Sequence, residues 1–187
     1  MTVAPVDRSA AVRAAIRSLV ARHGLHGTSM AAVAAEARVA TGTAYVHYAS
    51  KEELVIAAYL ELKGELGRAA TARLDPSTAP AVRFRTMWRG VHRFLVAAPE
   101  RARFLVQLDA SPLASTVHAR ALVDAGDPFL TEASRPDMRA VLADLPPEVL
   151  YDLGIGPVVR LVAAGEHLTR HQLERLNTAA WRAITRP

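Results

Sequence analysis

The chain has no cysteine in 187 residues. That excludes disulfides, thiolate nucleophiles, thiolate metal sites and iron–sulfur clusters together. Aromatic residues make up only 5%. No apolar run approaches the roughly 20 residues needed to span a bilayer. The first ten residues, MTVAPVDRSA, lack a basic segment followed by an apolar one, so no leader peptide is expected there. Alternating β-branched runs are missing, which leaves little sign of strands. Lysine is nearly absent, with Lys51 and Lys63 beside 21 arginines. What remains is 51% hydrophobic and 22% charged, an ordinary globular balance. A disordered or fibrous chain is excluded, and a soluble cytoplasmic protein with its own core is the expectation.

The charge is unevenly spread. The chain carries net +5, and residues 8–51 hold Arg8, Arg13, Arg17, Arg22, Arg38 and Lys51 against Glu36 alone. The rest of the chain is neutral. A basic N-terminal quarter on a neutral body points to an anionic partner. Heavy arginine and alanine usage is also what a GC-rich genome produces, so charge alone leaves the partner open.

The periodicity is helical throughout. Val12, Ala15, Ile16, Leu19 and Val20 form one stripe of a helix over Arg8–His23, and Gly24 and Gly27 mark a turn. Ser29 caps a short helix over Met30–Ala37. Arg38-Val39-Ala40 leads to another over Thr41–Tyr48. Ser50-Lys51-Glu52-Glu53 is a capping box that opens a long helix with Leu54, Ala58, Leu62 and Leu66 on one face, ending near Ala70. Further helices are expected over Ala81–Ala97 and from Pro99 to about Asp109, with one or two within 115–145. A segment from Pro146 to Gly165 is kinked at Pro157, and a last helix runs from the Thr169–Gln172 capping box to Ile184. The total is about nine helices in an all-α fold.

Two short helices joined by a three-residue turn and preceded by an amphipathic helix have the shape of a helix-turn-helix head. Val33, Ala34, Ala37, Val39 and Tyr45 would form its small core. Thr41, Gly42, Thr43, Val46 and His47 would stand on the second helix, small or polar as close approach to DNA requires.

The stretch Gly27-Thr28-Ser29-Met30, Val33-Ala34, Glu36-Ala37, Val39, Gly42-Thr43, Tyr45, His47-Tyr48, Ser50-Lys51-Glu52-Glu53-Leu54 resembles the tetracycline-repressor (TetR) family of bacterial transcriptional regulators. The resemblance implies an N-terminal DNA-binding domain over 1–52 and a helical effector-binding and dimerisation domain over 53–187. It implies that Thr28 or Ser29 bonds a phosphate and that Thr41, Gly42 and Thr43 face the major groove. Tyr45 places its hydroxyl on a phosphate, His47 reaches a phosphate or a base edge, Tyr48 packs behind the helix with its hydroxyl near the backbone, and Lys51 meets a further phosphate. Three positions depart from the family pattern. Arg38 stands where glycine is frequent, and a positive φ there would strain it, although its charge suits a phosphate. Ala40 stands where a serine cap is frequent, a loss of roughly 0.5–2 kcal/mol unless Thr41 takes over the cap. Tyr48 replaces phenylalanine.

For the body the resemblance implies a homodimer built on the last two segments, with Gly154, Gly156, Val159, Ala163, Leu173, Leu176, Ala180 and Ile184 at the interface. A two-fold dimer predicts an inverted-repeat double-stranded operator, its half-sites about one helical turn apart or a multiple of it. A small hydrophobic or aromatic effector would bind a pocket lined by Trp88, His92, Phe104, Gln107, Leu108 and Phe129, and would release the protein, a repressor in the family's usual mode, from DNA. Trp88 and Phe104 at helical spacing equally fit a plain core, and His92 a satisfied or exposed histidine.

No catalytic constellation competes. Gly154-Ile155-Gly156 lacks a third glycine and a preceding strand. His167 and His171 lie four apart, but Thr169 caps a helix between them. Ser115, His118 and Asp124 have no nucleophile elbow. Neither an enzyme nor a metal or organic cofactor is expected. The remaining alternative is a helical protein-interaction module without DNA binding, which would explain the helices but not the pattern over residues 27–54.

Overall fold

The computed structural model describes residues 7–124 and 126–186. Residues 1–6, most of the stretch read for a leader, lie outside them. Twelve helices are present among the described residues: α1 (Arg8–His23), α2 (Met30–Glu36), α3 (Thr41–His47), α4 (Lys51–Thr71), α5 (Pro80–Val96), α6 (Pro99–Asp109), α7 (Ala114–Leu122), α8 (Pro128–Ala133), α9 (Pro136–Val141), α10 (Pro147–Gly154), α11 (Gly156–Ala163) and α12 (Arg170–Ile184). The all-α expectation holds, but the number of helices was underestimated. Residues 115–145 hold most of α7 and all of α8 and α9, because Pro128 and Pro136 each open a new helix after a tight turn. The Pro146–Gly165 segment breaks at Ile155 rather than bending, since Pro157 cannot donate to the preceding turn and instead starts α11.

Local chemistry sets the helix starts. Asp7, Ser29, Ser50 and Thr169 each accept a backbone N–H of the first turn they cap. Thr169 and Gln172 complete a reciprocal capping box. The Ser50 box closes differently from expectation: Glu53 reaches past Ser50 to the N–H of Ala49, at 2.8 Å. Prolines at the first or second position begin α5, α6, α8, α9, α10 and α11.

Helices α1, α2 and α3 pack as a small unit, of which α1 lies against α4 and also against α6. The second half of α4 crosses α5 closely. A Cβ on Gly90 would stand 2.7 Å from the Ala70 Cα, so only glycine permits this approach. Helices α5, α6, α11 and α12 complete the body around Phe84, Trp88, Phe104, Leu108, Val159, Ala180 and Ile184. The boundary drawn between residues 52 and 53 falls in the first turn of α4, which runs unbroken from the small unit into the body. No described helix is long and apolar enough to cross a membrane.

Candidate nucleic-acid interface and cavity

Helix α3 is held by Ala44 and Tyr48, both buried, and by its packing on α2. This leaves Thr41, Gly42, Tyr45, Val46 and His47 exposed and Thr43 half-exposed. Val46 is 83% exposed, an unusual position for a branched apolar side chain. A Cβ on Gly42 would meet nothing within 4 Å. Nothing within the chain therefore requires glycine there, although glycine costs a helix roughly 1 kcal/mol against alanine.

Several expected DNA contacts are placed otherwise. Thr28 is 3% exposed, and its hydroxyl donates to the Gly24 carbonyl at 2.9 Å, so it is not presented to a phosphate. Ser29 is exposed and caps α2. Tyr45 is 52% exposed and does not belong to the small core, which Ala44 completes instead. Tyr48 is buried. Its hydroxyl meets side chains rather than backbone, accepting from the Arg13 guanidinium at 2.7 Å and sharing a hydrogen bond with Ser9 at 2.8 Å. Lys51 donates to the carbonyls of Leu25 and Thr28 at 3.0 and 3.1 Å, pinning the α1–α2 turn to the start of α4. Two of its three donors are therefore internal.

The basic excess is also partly internal. Arg13 pairs with Glu61, Arg17 with Glu61 and Glu65, and Arg22 with Glu36. The Glu61 hydrogen bond holds the Arg13 guanidinium above even its ordinary high pKa. Arg38, at the end of α2, is exposed and forms no ion pair among the described residues. Its φ is +56°, the left-handed region that disfavours a side chain. Ala40 occupies the cap of α3 without a side-chain hydrogen bond, and Thr41 stays inside the helix and does not replace it.

The body encloses a cavity of about 530 Å³ between α4, α5 and the α7–α10 region. Of the six residues expected to line a pocket, only Phe129 lines this cavity. Phe104 and Leu108 are wholly buried in the core. Trp88 is also core, and with His92 it backs a separate cleft of about 510 Å³ between α5 and α12. Burial and Arg93 lower the His92 pKa. Gln107 is exposed on α6 against Gly24. The residues missed by sequence reasoning are Tyr59 and Lys63, one turn apart on α4, together with His118, Asp127 and Tyr151. Lys63 is 7% exposed. Burial brings its ammonium down to about 8, against the opposing pull of Asp127 and Asp109. Burial raises the Tyr59 and Tyr151 phenols and the Asp127 carboxyl. Behind the wall residue Glu132, Arg83, 1% exposed, is paired with Glu132 and Asp137 and donates to the Thr78 carbonyl.

Most residues expected at a dimer interface turn inward. Gly154, Gly156, Val159, Ala180 and Ile184 are buried within the chain, and Gly154 rests on Ile184 and Phe84. Ala163, Leu173 and Leu176 are half-buried. The apolar stripe of α12 serves its own core. About a quarter turn away, Leu176, Ala179 and Ala183 follow one another at three- and four-residue spacing on the outer face, as Pro157, Leu161 and Ala164 do along and just past α11.

Residues 12–58 match the family model described as bacterial regulatory proteins, tetR family. Residues 81–185 match the tetracyclin repressor-like C-terminal domain. An HTH-type transcriptional regulator of Haemophilus influenzae, named as uncharacterized, is 26% identical over 98% of this chain and 99% of its own. The crystal structure of a TetR-family regulator from that organism superposes with a TM-score of 0.75 at 26% identity, covering 96% and 97% of the two chains. One from a Shewanella species gives 0.81 at 26% identity over 96% and 99%. TetR-family regulators bind DNA and dimerise, and these relatives are regulators rather than enzymes. With the helix-turn-helix unit matched over residues 12–58 and most of the helical body over 81–185, the chain belongs to the TetR family of bacterial transcriptional regulators.

Proposed function

We propose that this regulator is a homodimeric repressor that holds an inverted-repeat operator and lets go when a small molecule occupies the cavity. The observation that carries the DNA reading is the outer face of α3. Gly42, Val46 and His47 are exposed and Thr43 half-exposed, and a side chain on Gly42 would meet nothing in the chain. In a major groove that face offers Val46 to a thymine methyl and Thr43 and His47 to base edges. Tyr45, Ser29 and Arg38 flank it as phosphate contacts, with Thr41 at the rim. Specificity then rests on few hydrogen bonds and substantially on apolar contact and DNA shape.

The dimer forms through the outer stripes of α11 and α12, around Leu161, Ala164, Leu176, Ala179 and Ala183. Their small side chains suit close packing about a two-fold axis. The head over 1–52 and the body over 53–187 are joined by α4, which carries Lys51 at one end and Tyr59 and Lys63 in the cavity wall. An effector that prefers one tilt of α4 changes the spacing of the two heads, and DNA affinity falls by the ratio of its affinities for the two states. The site of action is the bacterial cytoplasm.

Selection from a random double-stranded DNA pool at two salt concentrations tests the reading. Enrichment of an inverted repeat, with affinity falling steeply as salt rises, is the expected result. A pool that stays flat at both concentrations overturns it and leaves a helical interaction module.

A further inference from the structure

Taking the cavity as the effector site, as proposed above, we infer that its ligand is an amphiphilic carboxylate, whose head sits on Lys63 and whose apolar body fills the space toward Phe84 and Met138. Lys63 is almost fully buried, yet among the described residues no carboxylate lies within 4.0 Å of its Nζ and no acceptor hydrogen-bonds to it. It lies instead over the Tyr151 ring, 3.8 Å from Nζ to the centroid. A buried ammonium without an anion is among the most costly groups a protein interior can hold.

A second buried cation, Arg83, lies outside the cavity lining but is paired with its Glu132, and shows how this fold treats a structural charge. Arg83 has two carboxylates and a carbonyl. Lys63 has none of these and faces the open volume.

The neighbouring acids are engaged elsewhere. Asp127 accepts the Phe129 N–H at 2.8 Å and caps α8. Asp109 holds His118 at 2.9 Å. Asp152, the remaining acid whose charge is felt by the two phenols, is exposed on α10. The Tyr59 and Tyr151 hydroxyls make no hydrogen bond among the described residues, and burial keeps both protonated. Lys63, Tyr59 and Tyr151 line the same cavity, the ammonium lying over the Tyr151 ring, so a carboxylate there has one ammonium and up to two phenolic donors to draw on. The remaining wall is largely apolar, with Phe84, Met87, Leu130, Leu142, Leu150 and Ile155, and its other charged residues, Arg139, Arg186, Glu132, Asp144 and Glu148, include both signs. The volume lies within the range that encloses drug-sized ligands. One cationic end and one apolar body define an amphiphile, and a neutral hydrocarbon would leave the ammonium buried and unpaired.

Calorimetric titration with matched pairs tests this: octanoate with octanol, decanoate with decanol, and benzoate with benzyl alcohol. The wild-type protein should bind at least one carboxylate about tenfold or more tighter than its alcohol. Lys63→Met and Lys63→Gln should erase that ratio while retaining alcohol binding, which reports an intact cavity. Without any substitution, wild-type affinity for the carboxylate should fall as pH rises past about 8, and that for the alcohol should not. Equal binding within every pair, a preference that survives Lys63→Met, or no carboxylate binding at millimolar concentration each overturns the inference. Operator affinity measured on the same samples separates the two readings. A bound carboxylate that leaves DNA affinity unchanged removes the effector reading and keeps the anion site. Release by alcohols as readily as by carboxylates does the reverse.

Discussion

The Tyr48 hydroxyl accepts a 2.7 Å hydrogen bond from Arg13, which ties the tyrosine that ends α3 to α1. Arg13 in turn reaches Glu61 on α4, which makes Tyr48 part of a chain linking α3, α1 and α4. Two tyrosines three residues apart thus have opposite duties, and phenylalanine at each should separate them. Tyr48→Phe removes a half-buried, charge-assisted hydrogen bond and should lower stability by about 1–2 kcal/mol while leaving operator affinity nearly intact. Tyr45→Phe touches an exposed hydroxyl and should leave the urea midpoint unchanged while weakening binding to every DNA sequence tested. Paired denaturation and anisotropy titrations decide the matter. A Tyr48→Phe protein that is fully stable but blind to DNA would contradict this division.

Gly42 gives the sharpest contrast between folding and binding. Alanine at that position adds a methyl group that meets nothing within 4 Å and removes glycine's conformational cost in a helix. Gly42→Ala should raise stability by about 0.5–1 kcal/mol. In the complex the same methyl group would press on DNA, so operator affinity should fall, at a cost of about 1–3 kcal/mol as in an overpacked contact. Unchanged affinity in the more stable variant would mean that α3 does not lie in the groove along this face.

Arg38 carries backbone strain at φ +56°. Relief of that strain, about 1–2 kcal/mol, exceeds what glycine loses in the unfolded chain. Arg38→Gly should therefore stabilise the protein by about 0.5–1 kcal/mol. If the guanidinium contacts a phosphate, the same variant should bind DNA more weakly, with a salt slope shallower by about one unit. Melting temperature and a salt series of binding curves read the two effects. A less stable Arg38→Gly protein would show that the side chain, and not the backbone, governs this turn.

The head was legible from sequence because its information is local. Ser29, Ser50 and Thr169 mark helix starts within four residues of themselves, and Gly24 marks a stop. The cavity was not legible, because periodicity reports which face of a helix is buried and not what it is buried against. Trp88, Phe104 and Leu108 satisfy the pattern of a pocket wall and of a filled core equally, and they are core. The same limit applies to α12: its periodic apolar face, with Ala180 and Ile184, is buried within its own chain. One local signal was available for the cavity. Lys63 stands four residues after Tyr59, beside the apolar Leu62 and Leu66, in a chain that otherwise uses arginine for nearly every cation. A lone lysine at the edge of a buried stripe has no surface role to explain it.

That lysine also predicts how the empty protein responds to pH. Burial lowers its folded pKa to about 8 from the ordinary 10.5 of a lysine. Between those values the unfolded chain binds more protons than the folded one, so stability rises with pH across that window. Below about pH 8 the ammonium is charged in both states and its full penalty is present, of the order of 3 kcal/mol for a shift of this size. Lys63→Met, similar in volume and without charge, should therefore be more stable than wild type at pH 7 by about 1–3 kcal/mol, part of the gain being offset by the lost contact with the Tyr151 ring. The difference should shrink steadily as pH rises from 8 toward 10.5, because the wild-type lysine then folds in its neutral form. Comparing the two proteins at each pH cancels every other titrating group that the substitution leaves undisturbed. A Lys63→Met protein that is less stable at pH 7, or a difference that does not change with pH, would mean that Lys63 already has an anion inside the fold, and the cavity would lose its claim to one from outside.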